Sequence, residues 1–141
     1  MLRPVATRLL PLLLLAILLG ACGGGGPSDE ERIRTTLGDF QRATAGGDYA
    51  ALCDRILARE LIETVEQIGL PCEMAMRRGF EDVRSPRISV GAITVEGNRA
   101  TAQVRSSAEG QEPSEDTVEL VRTGDTWRIA SLGAGQEDDG P

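Results

Sequence analysis

The 141-residue chain carries few types of side chain that could do acid–base or nucleophilic chemistry, because it contains neither histidine nor lysine. Without histidine it can form no histidine-based triad and no histidine zinc site, and without lysine it can form no Schiff base. Beside the carboxylates there remain Cys22, Cys53, Cys72 and a single tyrosine, Tyr49. Two of the cysteines could form a disulfide. Tyr49 directly follows Asp48, so Asp48 and Tyr49 could act as a proton-transfer pair.

The position of Asp48 favours a structural role over proton transfer. Asp48 comes directly after Gly46-Gly47, a pair that would end one helix, and an aspartate at this point caps the start of the next. Capping accounts for Asp48 without a further assumption, and Tyr49 would pack at the base of the new helix. We therefore predict no catalytic residue in this pair and keep proton transfer as the alternative.

The first 21 residues have the composition of a secretory signal. Arg3 and Arg8 make the start basic, the run from Leu9 to Leu19 is apolar apart from one proline, and small residues follow. A transmembrane helix is the alternative, but it would need about 20 apolar residues. The glycines of Gly23–Gly26 would then end any helix. Residues 1–21 are therefore predicted to be removed on export.

The segment Leu19-Gly20-Ala21-Cys22 resembles the lipobox of bacterial lipoproteins. The resemblance implies cleavage before Cys22, a diacylglycerol on its sulfur and often an acyl group such as palmitate on the new N-terminus. Each buried methylene contributes about 0.8 kcal/mol, so two or more acyl chains hold a protein firmly on a bilayer. The predicted partner of Cys22 is thus membrane lipid, on the extracytoplasmic face of the cell membrane. The alternative is ordinary cleavage, which leaves Cys22 as a free thiol.

An exported domain lies in an oxidising compartment, which favours a disulfide between the two remaining cysteines. Cys53 and Cys72 are separated by 18 residues, and closing such a loop stabilises a fold by about 3 kcal/mol in the chain-entropy model. Two buried free thiols are the alternative. Because two thiols without histidine make a poor zinc site, we predict no metal and no cofactor.

Composition indicates one soluble domain between two polar segments. Residues 22–28 are a Gly-rich tether, residues 29–132 are long enough for one core, and residues 133–141 are an acidic tail predicted to be disordered. The formal charge of the whole chain is −7, and removal of two signal arginines leaves 13 arginines against 22 acidic residues, a net charge of −9. Nucleic acid is excluded as a partner because binding it requires basic residues that neutralise phosphates.

Helix signals occupy the first half of the domain. A Ser28–Glu31 capping box opens a first helix that ends at Gly46-Gly47, and a second helix follows Asp48. A further helical stretch ends near Gly69, and a third helix begins at Pro71. The apolar positions at helical spacing are Ile33, Leu37, Phe40, Ala43, Tyr49, Leu52, Ile56, Leu57, Leu61, Ile62, Val65, Ile68 and Phe80.

From Pro86 onward the apolar pattern changes to alternation, which predicts four strands joined in a meander. A phase slip near Gly91 indicates a bulge, and Gly97-Asn98 indicates a tight turn. The predicted fold class is therefore α+β, with N-terminal helices packed against a curved antiparallel four-stranded sheet. The predicted strands are Arg87–Glu96, one around Ala100–Val104, Asp116–Arg122 and Thr126–Leu132.

Two stretches of this layout resemble the NTF2-like (SnoaL-like) superfamily, in particular its small lipoproteins from high-GC Gram-positive bacteria. They are Ala-Gly-Gly-Asp-Tyr-Ala-Ala-Leu-Cys (residues 45–53) and Val-Glu-Leu-Val-Arg-Thr-Gly-Asp-Thr-Trp-Arg-Ile (residues 118–129). The resemblance spans roughly residues 29–132 and implies a curved sheet that wraps the helices around a conical pocket. Candidate pocket-lining residues are Phe40, Tyr49 and Trp127, although a lone tryptophan on a strand is more often a core residue.

The same resemblance implies three functional hypotheses. We expect first a non-catalytic domain that binds a small apolar ligand or a cell-envelope protein. The second hypothesis is an isomerase- or dehydratase-like enzyme that uses carboxylates in the cone, and the third is a homodimer formed through the wet face of the sheet. The enzyme is disfavoured, because Glu96 and Glu119 alternate with apolar residues and would face solvent. A cavity that contains a buried carboxylate near Tyr49 would favour the enzyme, whereas a filled, wholly apolar interior would argue against both the enzyme and ligand binding and would leave partner binding.

Overall fold

The computed structural model describes residues 25–133, so that Cys22, the signal 1–21 and nearly all of the tail 133–141 lie outside the described residues. Within that range four helices precede four strands. The helices are α1 (Asp29–Gly46), α2 (Tyr49–Ala51), which continues into a π-helical turn (Leu52–Ile56), α3 (Arg59–Glu66) and α4 (Cys72–Phe80). The strands are β1 (Arg87–Glu96), β2 (Arg99–Ser107), β3 (Ser114–Thr123) and β4 (Thr126–Ser131).

Helix α1 begins and ends at the signals that its sequence carries. The Ser28 hydroxyl accepts a hydrogen bond from the Glu31 N–H at 3.2 Å, and the Glu31 carboxylate accepts one from the Ser28 N–H at 2.7 Å. This reciprocal pair satisfies two donors that a helix N-terminus leaves free. At the other end Gly47 adopts φ 68°, a left-handed conformation that glycine takes without strain. The predicted capping box and helix end are confirmed.

The second predicted helix is interrupted. The Asp48 side chain caps α2 by accepting a hydrogen bond from the Ala51 N–H at 3.0 Å, as predicted. The prediction that the helix continues through Leu57 is wrong, because Leu57 is extended and forms a parallel bridge with Ile129. The Ala58 N–H donates to the Ile129 carbonyl at 2.7 Å, a long-range bond that takes the place of a continued helix.

Helices α3 and α4 form an outer layer that is joined to the π-helical turn by a disulfide. Cys53 lies in that turn and Cys72 opens α4; their sulfurs are bonded and their Cα atoms are 6.1 Å apart. The predicted pairing is thus present in the structure. Helix α3 ends at Glu66 rather than near Gly69, and Ile68, predicted on its apolar face, is 71% exposed.

The four strands form one antiparallel sheet in the order β1-β2-β3-β4. The register of β1 on β2 shifts between Val90 and Ile93, so that the bulge predicted near Gly91 is confirmed. Alternation along β2 buries Ala100, Ala102 and Val104. The predicted α+β class, with N-terminal helices against a four-stranded antiparallel sheet, is confirmed.

Side chains and backbone from the helical half bond to part of each edge of the sheet. The Arg34 guanidinium donates to the carbonyls of Val90 and Gly91 at 2.9 and 3.1 Å, and the Gln41 side-chain oxygen accepts the N–H of Ile88 at 2.7 Å. These bonds satisfy groups of β1 that would otherwise be free, while Ala58 does the same for β4. Such bonds leave fewer free backbone groups with which an added strand could pair.

Buried residues of the helices and the sheet form one apolar core. Trp127 is 2% exposed and packs with fully buried aliphatic residues of α1, the π-helical turn and the sheet. None of the described helices is long and apolar enough to cross a membrane. The fully buried aliphatic residues are Ile33, Leu37, Leu52, Leu57, Leu120 and Ile129.

Candidate functional site

A pocket of about 230 Å³ lies at the end of the domain where α1 and α4 finish and β1 begins. The second half of α1, the end of α4, the α4–β1 connection and the loop between β2 and β3 surround it. We call it the mouth pocket. The residues that define it are Phe40, Gln41, Thr44, Phe80, Ile88 and Ser107.

Two phenylalanines form the apolar wall of the mouth pocket. Phe40 of α1 and Phe80 of α4 meet edge to face, with ring centroids 5.8 Å apart and planes inclined by 76°. This arrangement brings the positive edge of one ring to the negative face of the other. Both rings are only half-buried, so a flat apolar group entering the pocket would find a preformed aromatic surface.

Gln41 supplies an oriented amide beside this wall. Its Oε1 accepts the N–H of Ile88 at 2.7 Å, which fixes the plane of the side chain against the edge of β1. The Nε2 group of the same amide can only donate. A carbonyl or hydroxyl oxygen in the mouth pocket would therefore suit it.

Thr44 is the one buried polar residue of the described part of the chain, and its hydroxyl has no hydrogen-bond partner there. The residue is 7% exposed and lines the mouth pocket. A buried hydroxyl without a partner costs free energy, because it has lost its bonds to water. Rotation about χ1 can move the hydroxyl to another staggered position.

The rim of the mouth pocket is polar and held in place by hydrogen bonds. The Glu109 N–H donates to the Arg84 carbonyl at 2.8 Å, which ties the β2–β3 loop to the α4–β1 connection. The Ser106 and Ser114 hydroxyls bond to each other at 2.8 Å. Two ionisable side chains line the pocket, Arg87 and Glu112; both are exposed and they carry opposite charges.

The three aromatic residues predicted from the sequence as pocket-lining lie in different places. Phe40 lines the mouth pocket, and Trp127 is buried in the core at the floor of a groove beside α1. Tyr49 is half-buried against the core, with the Arg77 guanidinium 5.7 Å from its ring centroid. Asp48, its neighbour, is engaged as a helix cap. Glu96 and Glu119 are exposed, as predicted.

A second polar cluster, which sequence reasoning missed, joins the opposite end of α1 to the sheet. The Asp29 carboxylate accepts hydrogen bonds from the Arg122 guanidinium at 2.5 Å and from the Trp127 indole at 3.1 Å. The Arg122 guanidinium also lies 4.8 Å from the centre of the Trp127 ring. These hydrogen bonds lower the pKa of the Asp29 carboxyl, and the bond from Trp127 has a larger effect than the bond from Arg122. Both partners are more than 90 positions from Asp29, so no local pattern could indicate them.

Two larger grooves run along the outside of the domain, and some of their charged side chains are bonded within the protein. The groove beside α1, of about 810 Å³, contains the Arg42–Asp39 ion pair and Arg32, which donates to the Asp125 carbonyl at 3.0 Å. The groove beside the disulfide, of about 950 Å³, contains Arg128, which donates to the Asp54 carbonyl at 3.0 Å. Among residues 25–133 no three histidine, cysteine or acidic side chains are grouped as metal ligands would be.

Comparison with solved structures identifies the fold. The chain is similar to an NTF2-like protein of unknown function from Silicibacter pomeroyi, at 19% identity and a TM-score of 0.52, over 71% of this chain and 88% of that one. It is also similar to a de novo designed NTF2 fold protein, at 15% identity and a TM-score of 0.51, over 75% and 87% of the two chains. The chain therefore has the NTF2-like fold. Neither a protein-family model nor a curated protein sequence matches it.

Proposed function

We propose that this chain is a membrane-anchored extracytoplasmic lipoprotein whose NTF2-like domain is a non-catalytic binding module with the mouth pocket as its ligand site. The observation that carries the binding role is the conjunction of the half-buried Phe40–Phe80 wall with the buried, unpartnered hydroxyl of Thr44. An apolar surface with a few polar groups is the usual make-up of a small-molecule site.

The placement of the acidic and phenolic groups supports binding without turnover. Asp48 caps α2, Asp29 is bonded to Trp127 and Arg122, and Tyr49 lies beneath Arg77. Each of these groups has a structural partner, whereas general acid–base catalysis needs a group that is held at the reacting atoms. The carboxylate of Glu112 at the mouth is exposed to solvent.

The proposed anchor is supported by the basic start, the apolar run and the lipobox-like Leu19-Gly20-Ala21-Cys22. The disulfide between Cys53 and Cys72 agrees with an oxidising compartment. Among the three cysteines, only Cys22 would then remain to carry lipid.

Fractionation of cells that express Cys22→Ala tests the anchor. The wild-type protein should sediment with membranes and incorporate an alkyne analogue of palmitate, and the variant should lose both properties. The matched control is Cys53→Ser with Cys72→Ser, which removes two thiols and should leave label and membrane association intact. Membrane association of Cys22→Ala, or labelling of it, would refute the anchor.

Binding is tested separately on the full chain in detergent. Benzamide, a flat neutral ring that carries one amide, should give saturation transfer from the protein in NMR spectra and should be recovered chemically unchanged. Loss of this signal in Phe80→Ala, together with unchanged signal in Met74→Ala, would place the probe at the mouth pocket rather than at the disulfide groove. Equal signals in both variants, or conversion of the probe, would contradict the proposal.

A further inference from the structure

The two ends of α1 lie beside different parts of the domain. At its first residue, Asp29 contacts Arg122 and Trp127, close to the β3–β4 turn, and the Arg122 N–H donates to the carbonyl of Asn98 in the β1–β2 turn. The first turn of α1 and both hairpin turns therefore lie at one end of the domain. The mouth pocket lies at the other end, beside the last turns of α1.

The length of α1 separates the tether from the mouth pocket. With 18 residues and a rise of 1.5 Å per residue, α1 is about 27 Å long. The chain enters the helix at Ser28, and the six steps from Cys22 to Ser28 span at most about 20 Å when fully extended. If the mouth pocket faced the bilayer and α1 stood along the membrane normal, Ser28 would lie about 27 Å above the surface, which is farther than this tether reaches.

The lining of the mouth pocket restricts what can enter it. A volume of about 230 Å³ is below the range of about 300–1,000 Å³ that is usual for drug-sized ligands, and two acyl chains would not fit. Its inner wall is made of Phe40 and Phe80, and its inner polar groups, Gln41 and Thr44, are neutral. A charged ligand would lose its hydration beside these groups, and the two charged side chains of the lining, Arg87 and Glu112, are exposed and opposite in sign, so that together they favour neither charge.

From these three observations we infer that the mouth pocket opens away from the membrane and takes a small, uncharged, water-soluble molecule with a flat ring and a hydrogen-bond acceptor. The ring packs on Phe40 and Phe80, and the acceptor receives the Nε2–H of Gln41. The ligand arrives from the aqueous side of the domain rather than from the lipid. This inference rests on the proposed anchoring and binding function.

Photo-cross-linking to lipid tests the orientation. The full lipidated chain, with p-benzoylphenylalanine at Asn98 or at Gln111, is placed in nanodiscs of phosphatidylethanolamine and phosphatidylglycerol and irradiated. Both positions are exposed; Asn98 lies in the β1–β2 turn, and Gln111 lines the mouth pocket. We expect cross-links to lipid from position 98 and none from position 111.

Cross-links from position 111 that equal or exceed those from position 98 would overturn the orientation, as would none from either position on discs that carry the protein. Failure of the protein to join the discs is a different result, which refutes the anchor itself. The two failures are therefore distinguishable, since disc association is measured first by size-exclusion chromatography.

Matched probes test the ligand class on the full chain. Benzamide and benzoate share a ring and differ in charge, so benzamide should bind and benzoate should not. Gln41→Glu keeps the oxygen that accepts the Ile88 N–H but removes the Nε2 donors, so benzamide should bind about tenfold more weakly. Gln103→Glu, on a strand position that faces away from the core, is the control and should not change the affinity. Preferential binding of benzoate, or equal affinities in the two variants, would overturn the inference.

Discussion

The indole N–H of Trp127 donates a hydrogen bond to the carboxylate of Asp29 at 3.1 Å, across 98 positions of sequence. This bond joins the first residue of α1 to the second residue of β4, while Arg122 on the neighbouring strand β3 contacts both partners. The start of the first helix is thereby attached to the last hairpin of the sheet. In the proposed lipoprotein this attachment lies next to the tether, where any pull from the anchor would enter the domain.

Protonation of Asp29 should destabilise the fold at low pH. Its hydrogen bonds to Trp127 and Arg122 lower the pKa of the folded-state carboxyl below the ordinary value of 3.8, so the unfolded state takes up the proton first. The stabilisation is complete above pH 3.8 and is lost as the pH falls through the lower folded-state pKa. Urea unfolding midpoints at a series of pH values should show this loss.

Asp29→Asn is the variant that separates this contribution from that of other acids. The capping carboxylate of Glu31 also has a lowered pKa, because the Ser28 N–H donates to it, and it remains in the variant. The difference in midpoint between wild type and variant should therefore shrink as the pH falls. A difference that stays constant down to strongly acidic pH would contradict the role of Asp29.

Neighbouring glycines at the end of α1 should respond oppositely to alanine. Gly46 is the last helical residue, with open space where a Cβ would stand, and Gly46→Ala should stabilise the protein by about 0.5–1 kcal/mol. Gly47 has φ 68°, and Gly47→Ala should destabilise it by about 1 kcal/mol. Urea midpoints followed by Trp127 fluorescence measure both; the same sign of effect in the two variants would refute the assigned helix end.

Local signals of this kind made much of the fold predictable from sequence. The capping box at Ser28 and Glu31, the glycine pair after α1 and the bulge near Gly91 are each specified by adjacent residues, and all were found as predicted. The extended conformation of Leu57 was not predictable, since its apolar spacing fits a continued helix. Its bridge to Ile129 forms only once β4 is in place.

The candidate site was less predictable than the fold for the same reason. Phe40 could be singled out as an aromatic residue on the first helix, but the mouth pocket also needs Phe80 of α4 and Ile88 of β1. The orientation of Gln41 follows from a bond to a backbone group 47 positions away. Whether the hydroxyl of Thr44 has a partner likewise depends on the packing of distant elements.

Two threonines of α1 should show what that unpartnered hydroxyl costs. Thr44→Val replaces a buried hydroxyl that lacks a partner by a methyl group, and should stabilise the protein by about 1 kcal/mol. Thr36→Val removes a hydroxyl that donates to the Trp127 carbonyl at 2.9 Å, and should destabilise it by about 1 kcal/mol. Urea midpoints measure both, and destabilisation by Thr44→Val would show that its hydroxyl is satisfied.

Reduction of the disulfide should loosen the outer helical layer before the core. Helix α3 has no buried residue, and the bond from Cys53 to Cys72 joins the start of α4 to the π-helical turn. A loop of this size contributes about 3 kcal/mol in the chain-entropy model, so dithiothreitol should lower the free energy of unfolding by that amount. The double variant Cys53→Ala with Cys72→Ala should have the lowered stability from the outset and no response to dithiothreitol.

Hydrogen exchange would locate the effect of reducing the disulfide, because the amides of α3 and the first turn of α4 should lose protection while those of β2 and β3 keep it. Uniform loss of protection across the sheet would instead show that α3, α4 and the sheet open as one cooperative unit.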